Sequence, residues 1–145
     1  MPTLAMTRLR LKSVWLFPRF IWASEAAVAQ LRMAPGFLRG KLLAESNLAM
    51  WTASLWLSEE NIRAFYLSGA HRTLMSKLSD FACEAIVGQI SYEYSELPSW
   101  QFIYEELCRV GRYSDALSEP SENHNNRKVA RPRFPILIRQ LSRKN

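Results

Sequence analysis

The stretch GFLRGKLLAESNLAMWTASLWLS, Gly36 to Ser58, decides the fold of this chain. It holds two apolar runs of strand length, separated by a short polar turn at Glu45 to Asn47. So short a connection joins neighbouring antiparallel strands and leaves no room for a crossover, so the stretch reads as a hairpin. Ser58 then supplies a helix N-cap, with Glu59 and Glu60 in the electropositive first turn.

Working outward, EENIRAFYLSG runs as a helix to Gly69, a natural stop or kink. AHRTLMSKLSDFA resumes helical spacing, with His71, Leu74, Met75, Leu78, Phe81 and Ala82 along one stripe. EAIVGQISYEY reads as a fourth strand. Upstream, TRLRLK alternates leucine with Arg8, Arg10 and Lys12, the period of a half-buried strand with a solvated or inter-subunit basic face. Pro18 suits a first helical turn, Phe20, Ser24, Ala27, Val28 and Leu31 form one face, and MAPG ends the helix.

The order is therefore β-α-β-β-α-β, an α+β chain with a ferredoxin-like, four-stranded antiparallel sheet and helices on one face, over residues 1–95. Residues 96–145 form an extension: a helix over 98–110, then a basic, Pro-containing, irregular tail anchored by Phe134, Ile136 and Leu137. An apolar open sheet face needs covering, and a second copy packed sheet to sheet would cover it.

Composition narrows the function classes. The net charge of +6 misleads as an average, because residues 123–145 carry seven Lys/Arg and no acid. The first 122 residues are nearly neutral, so no basic folded face points to nucleic acid. Cys83 and Cys108 lack metal-site spacing, which suits a reduced, cytoplasmic protein. No window reaches the roughly 20 apolar residues of a membrane span. GxGxxG, P-loop, zinc and GxSxG motifs are all missing from the sequence.

Within this layout APGFLRGKLL (34–43), MWTASLW (50–56) and SGAHRTLMSKLSDFACEA (68–85) carry a resemblance. The chain resembles a largely uncharacterised bacterial group of the dimeric α/β-barrel superfamily. That group is similar to antibiotic-biosynthesis-monooxygenase-like domains and, more distantly, to spheroidene monooxygenase. The likeness spans about residues 7–135 and is strongest over 34–85. It implies a homodimer, a small-molecule cavity between each sheet and its own helices, and a monooxygenase-like activity on an apolar organic substrate. A non-catalytic small-molecule or heme-binding protein of the same fold is the alternative. The cofactor it implies is none or heme, with His71 as the iron ligand. Aligned with heme-degrading relatives, the chain departs at Phe65, where they hold tryptophan, and at Met75, where they hold the axial histidine, unless the helix is shifted by one turn, which brings in His71.

His71 is the expected catalytic residue. Burial on the apolar stripe keeps its imidazole neutral, able to accept a proton or ligate iron. It could equally be a core histidine hydrogen-bonded to a carbonyl or to Glu84. Trp56, Phe65, Trp51 and Met75 are candidate cavity walls, and Arg72 at the helix start is a candidate for an anionic ligand group. Trp51 and Trp56 lie on opposite strand faces, and alternation alone does not say which faces the cavity.

Overall fold

The computed structural model describes residues 2–133 and 135–144. In chain order the elements are β1 Thr3–Leu11, α1 Phe17–Met33, β2 Phe37–Glu45, β3 Ala49–Trp56, α2 Glu59–Tyr66, α3 Gly69–Ser76 and α4 Leu78–Phe81. Then follow β4 Ala82–Ser91, α5 Trp100–Val110, β5 Arg112–Tyr113, α6 Glu122–Asn125 and β6 Pro135–Ser142. The sheet has the order β5-β4-β1-β3-β2-β6, with every neighbouring pair antiparallel. Its inner four strands are the ferredoxin-like sheet expected from the sequence.

Side-chain alternation gives this sheet two apolar faces. Ala5 and Leu9 of β1, Trp56 of β3 and Ala85 of β4 pack beneath α1, α2 and α3, against Phe20, Val28, Leu31, Phe65 and Leu74. On the other face Leu4, Met6, Leu43, Trp51, Ala53 and Ile86 pack against Ile103 and Leu107 of α5. Ser99 caps α5 by accepting from the Phe102 amide, and Gly111 ends it against β4. A Cβ at Gly111 would lie 2.4 Å from Ile86 Cδ1, so only glycine lets the chain leave the helix so close to the strand.

Two expectations are corrected here. The sheet face expected to meet a second copy is covered over β4, β1 and β3 by the chain's own extension, while Ile136 and Ile138 at its β6 edge stay exposed. The extension's helix buries Ile103 and Leu107 to within 1 % of full enclosure, worth about 1.5–3 kcal/mol each by transfer. The tail is also not irregular throughout. Its last segment forms β6 and pairs with β2 from Arg39↔Ser142 to Glu45↔Pro135. The unpaired edge of β2 supplies the ladder partners that no local period in the tail reveals. Leu141 is buried there, while Ile136 and Leu137, expected as anchors, are 60 % and 50 % exposed. Phe134 lies outside the described residues.

Buried polar pairs fasten the extension. Lys41 reaches the Pro98 carbonyl and sits 4.4 Å from the Trp100 ring centroid, and burial lowers its pKa. Glu45 is buried at the hairpin turn, accepting from Trp51 Nε1 at 2.8 Å and from the Arg133 amide. Arg8 is a third correction. Instead of a solvated basic face it is 2 % exposed and pairs with Glu84 at 2.7 Å. Ser121 donates to the other Glu84 oxygen at 2.6 Å, closing the tail over the pair. No helix among the described residues is long and apolar enough to cross a membrane.

Candidate functional site

The site begins at the broken helix. Between α2 and α3 the chain turns at Gly69, whose φ of +61° is the left-handed region glycine tolerates. Ser68 stands at the N-cap of α3, but its hydroxyl donates back to the Ala64 carbonyl and leaves the new helix uncapped. Gln30 of α1 takes over. Its Oε1 accepts from the His71 amide at 2.8 Å, and its Nε2 donates to the Ser68 carbonyl at 2.9 Å. One long-range side chain thus fixes where α3 starts and where His71 stands.

His71 lies between two rings. The Tyr66 ring stacks on it at 4.8 Å with an interplanar angle of 12°, and Phe65 approaches at 4.7 Å. Its Nδ1 is buried with no hydrogen-bond partner among the described residues. Burial pulls the His71 pKa down to about 4, which a hydrogen bond donated by the ring to the Tyr66 backbone carbonyl only partly offsets. The imidazole is therefore neutral at neutral pH, with an acceptor or donor nitrogen unused.

Tyr66 connects this histidine to the sheet. Its hydroxyl hydrogen-bonds the Thr7 side chain, and burial raises its pKa, so the phenol stays protonated. Thr7 is mid-strand in β1, in register with Thr52 on β3 and Val87 on β4. All three keep partial exposure at the centre of the helix-side face, while Ala5 and Leu9 on the same strand face are buried. Thr7 and Thr52 thus put two hydroxyl-bearing residues side by side at partly exposed positions on the helix-side face.

The candidate residues divide between places. Phe65 touches His71 and continues through Trp56, 5.4 Å away, to Phe37 at 5.6 Å from Trp56. Trp56 is fully enclosed and donates to Ser54 at 2.8 Å, which makes it backing for Phe65. Met75 is half-buried against the Leu9–Phe20–Leu74 cluster. Arg72 is exposed at the start of α3. Trp51 is not brought to this site at all, since it lies beneath α5 on the opposite face. Glu84 also faces away, so His71 has no carboxylate partner there. Tyr66, Thr7 and Gln30 were missed. Tyr66 had a signal, five residues before His71 across the Gly69 break.

Heme fits these residues poorly. Iron ligation needs an open line from an imidazole nitrogen into a space wide enough for a porphyrin. Here Nδ1 is enclosed, and Phe65 and Tyr66 pack against the ring. A wide groove of about 1110 Å³ does exist, but beside β4 and α5, lined by Tyr92, Tyr94 and Phe102 and remote from His71. We place the candidate site at His71 because the unsatisfied polar atom and the partly exposed threonines are there. Among the described residues no group of three or more His, Cys, Asp or Glu could hold a metal ion.

No family model matches the chain, and none of the curated proteins is significantly similar to it in sequence. Solved structures do match in fold. The architecture is that of the antibiotic-biosynthesis-monooxygenase-like proteins, α+β chains of the dimeric α/β-barrel type. A Nitrosomonas europaea protein provisionally assigned as an antibiotic biosynthesis monooxygenase superposes with a TM-score of 0.58 at 14 % identity, over 64 % of this chain and 91 % of its own. Rv0793 from Mycobacterium tuberculosis gives 0.59 at 9 %, over 65 % and 97 %. SnoaB, a cofactor-independent oxygenase from Streptomyces nogalater, gives 0.55 at 16 %, over 68 % and 98 %. Identities this low establish the fold alone. About a third of this chain has no counterpart in these neighbours.

Proposed function

We propose that this protein is a monooxygenase-like enzyme that oxidises an apolar organic molecule between sheet and helices without a metal. The observation that carries the reading is the neutral His71, its Nδ1 unpartnered, next to the protonated Tyr66 over Thr7. On substrate entry the Phe65 and Tyr66 rings must part to open His71, whose imidazole can then accept a proton from an activated methylene or phenol. A histidine held near pKa 4 is a weak base alone. A substrate anion formed beside it stabilises the imidazolium and raises that value. Tyr66 donates a hydrogen bond to the developing oxyanion. An electron-rich anion then reacts with dioxygen directly: a methylene plus O₂ gives a carbonyl plus water, with all four electrons from the substrate. That one fold neighbour is a cofactor-independent oxygenase supports this choice of chemistry. The protein works in the cytoplasm as a self-associating unit.

A second reading, a binding protein without chemistry, is favoured by the missing carboxylate partner of His71. Dioxygen uptake with a panel of polycyclic phenols and activated methylenes tests both. The first reading expects substrate-dependent uptake without added metal or hemin, lowered about 100-fold or more in His71→Phe. Saturable quenching of tryptophan fluorescence with no uptake selects the binder, and neither signal sinks both.

A further inference from the structure

The stretch VWLFPRFIW, Val14 to Trp22, holds two tryptophans that neither the core nor the His71 site uses. A single 3-10 turn at Val14–Leu16 leads into α1, which buries Phe20, Ala27, Val28 and Leu31 toward the sheet. Trp15, Trp22, Ala26, Ala29 and Met33 follow one another at steps of seven, four, three and four, and so line the opposite side. All five are exposed, Trp15 at 86 %, Trp22 at 84 % and Met33 at 65 %. A continuous apolar stripe with two tryptophans in water marks an interaction surface.

Basic groups border this stripe on both sides. Arg19 is exposed on α1, with its guanidinium 5.9 Å from the centre of the Phe81 ring. Along the other border runs β6. There Arg139 pairs with Glu25 at 2.7 Å, Arg32 donates to the Ser142 carbonyl at 3.0 Å, and the Lys144 amide donates to the Arg32 carbonyl at 2.9 Å. Glu25 is the only acid in α1 and in residues 135–144, and Arg139 already neutralises it. Arg19, Arg32, Arg143 and Lys144 are left in excess, each at least partly accessible.

We propose that α1 and the turn before it form a docking site for the surface of an anionic bilayer, with the stripe from Trp15 to Met33 set among the headgroups and upper acyl chains. Tryptophan favours the headgroup level, where its ring is in apolar surroundings and its N–H still finds water. Arginine and lysine on the borders meet lipid phosphates while their aliphatic stems lie along the apolar surface. The stripe runs the whole length of a 17-residue helix, about 25 Å, so the helix lies flat on the bilayer. Two arginines and a glutamate within those residues rule out a span. A second copy on this face would bring the same excess of bases together from both sides, whereas anionic lipid turns that repulsion into attraction. This surface is independent of the chemistry assigned to His71.

Co-sedimentation of the full chain with lipid vesicles tests the proposal. Phosphatidylcholine vesicles with roughly 30 mol % phosphatidylglycerol should carry the protein down, pure phosphatidylcholine vesicles far less, and added salt should release it. The double variant Trp15→Ser/Trp22→Ser, at exposed positions, should stay folded by circular dichroism and bind about 10-fold or more weakly. Ala26→Glu, which sets a carboxylate in the middle of the stripe, should do the same. Arg19→Gln should lose about fivefold, the contribution of one base near the surface. A parent left in the supernatant by both vesicles, equal binding to both, or undiminished binding by the tryptophan and Ala26→Glu variants overturns the proposal. A parent that ignores vesicles but forms a dimer that the double variant dissociates also overturns it, and gives the stripe to a second copy.

Discussion

Glu84→Ala is the perturbation whose cost the structure fixes most closely. Glu84 and Arg8 have side chains only 5 % and 3 % exposed and meet at 2.7 Å. Arg10 lies 3.6 Å from the second carboxylate oxygen, and Ser121 donates to the same oxygen. Burial alone would raise the Glu84 pKa, but the Ser121 and Arg8 hydrogen bonds and the charges of Arg8 and Arg10 outweigh it and lower the value. Removing the carboxylate leaves the Arg8 guanidinium 5.3 Å from the Trp51 ring as its only remaining described neighbour of favourable charge. Breaking a buried pair from one side costs about 3–5 kcal/mol. With a urea m-value of about 2 kcal/mol/M, the unfolding midpoint should fall by roughly 2 M, read by tryptophan fluorescence. The double variant Arg8→Met/Glu84→Leu should recover most of that loss, since apolar replacement of both partners removes the stranded charge. Because the folded pKa is below the unfolded one, the contribution is complete above the usual carboxylate range and disappears as pH falls through the lowered value. A Glu84→Ala loss under about 1 kcal/mol would refute the reasoning, for it would mean that water reaches Arg8.

Two other outcomes follow from the site. His71 is held near pKa 4, below its unfolded value, so the unfolded chain takes up a proton first and stability rises with pH between about 4 and 6.5. Melting temperature against pH should show that slope in the parent, and His71→Phe should flatten it. Gln30→Ala removes the cap of α3 and should cost about 1–3 kcal/mol, with faster hydrogen exchange at the His71 amide. Unchanged exchange there would show that α3 is positioned by packing alone.

The sequence read well where a period was local. The hairpin at 36–58, the Ser58 cap and the break at Gly69 depend on residues a few positions apart, and each is present in the structure. Contacts far apart in sequence were unreadable. Gln30 caps a helix that begins 39 residues later, at Gly69, and nothing in the composition of α1 announces it. His124 stands in a polar run of the tail, yet it is 4 % exposed, its Nδ1 accepting from the Ala85 amide and its Nε2 bonded to the Ser114 carbonyl. Alternation separated Trp51 from Trp56 correctly. It could not say which face belonged to the helices, because the other face is covered by a helix too.

That second cover separates structural from functional polar groups. Under α5 and the tail, Glu45, Glu84 and His124 each have both polar side-chain atoms engaged. Arg8 Nε is the exception, in a guanidinium already paired through its terminal nitrogen and lying over an aromatic ring. A satisfied group in a closed core has nothing left to offer a ligand. Between sheet and α1–α3 the balance is reversed: His71 Nδ1 is unpartnered, and the Thr7 and Thr52 positions still meet solvent. A buried polar atom without a partner costs about 1–3 kcal/mol, a loss that a bound substrate can recover by completing the hydrogen bond. The proposed site therefore lies on the side where the fold leaves His71 Nδ1 without a partner.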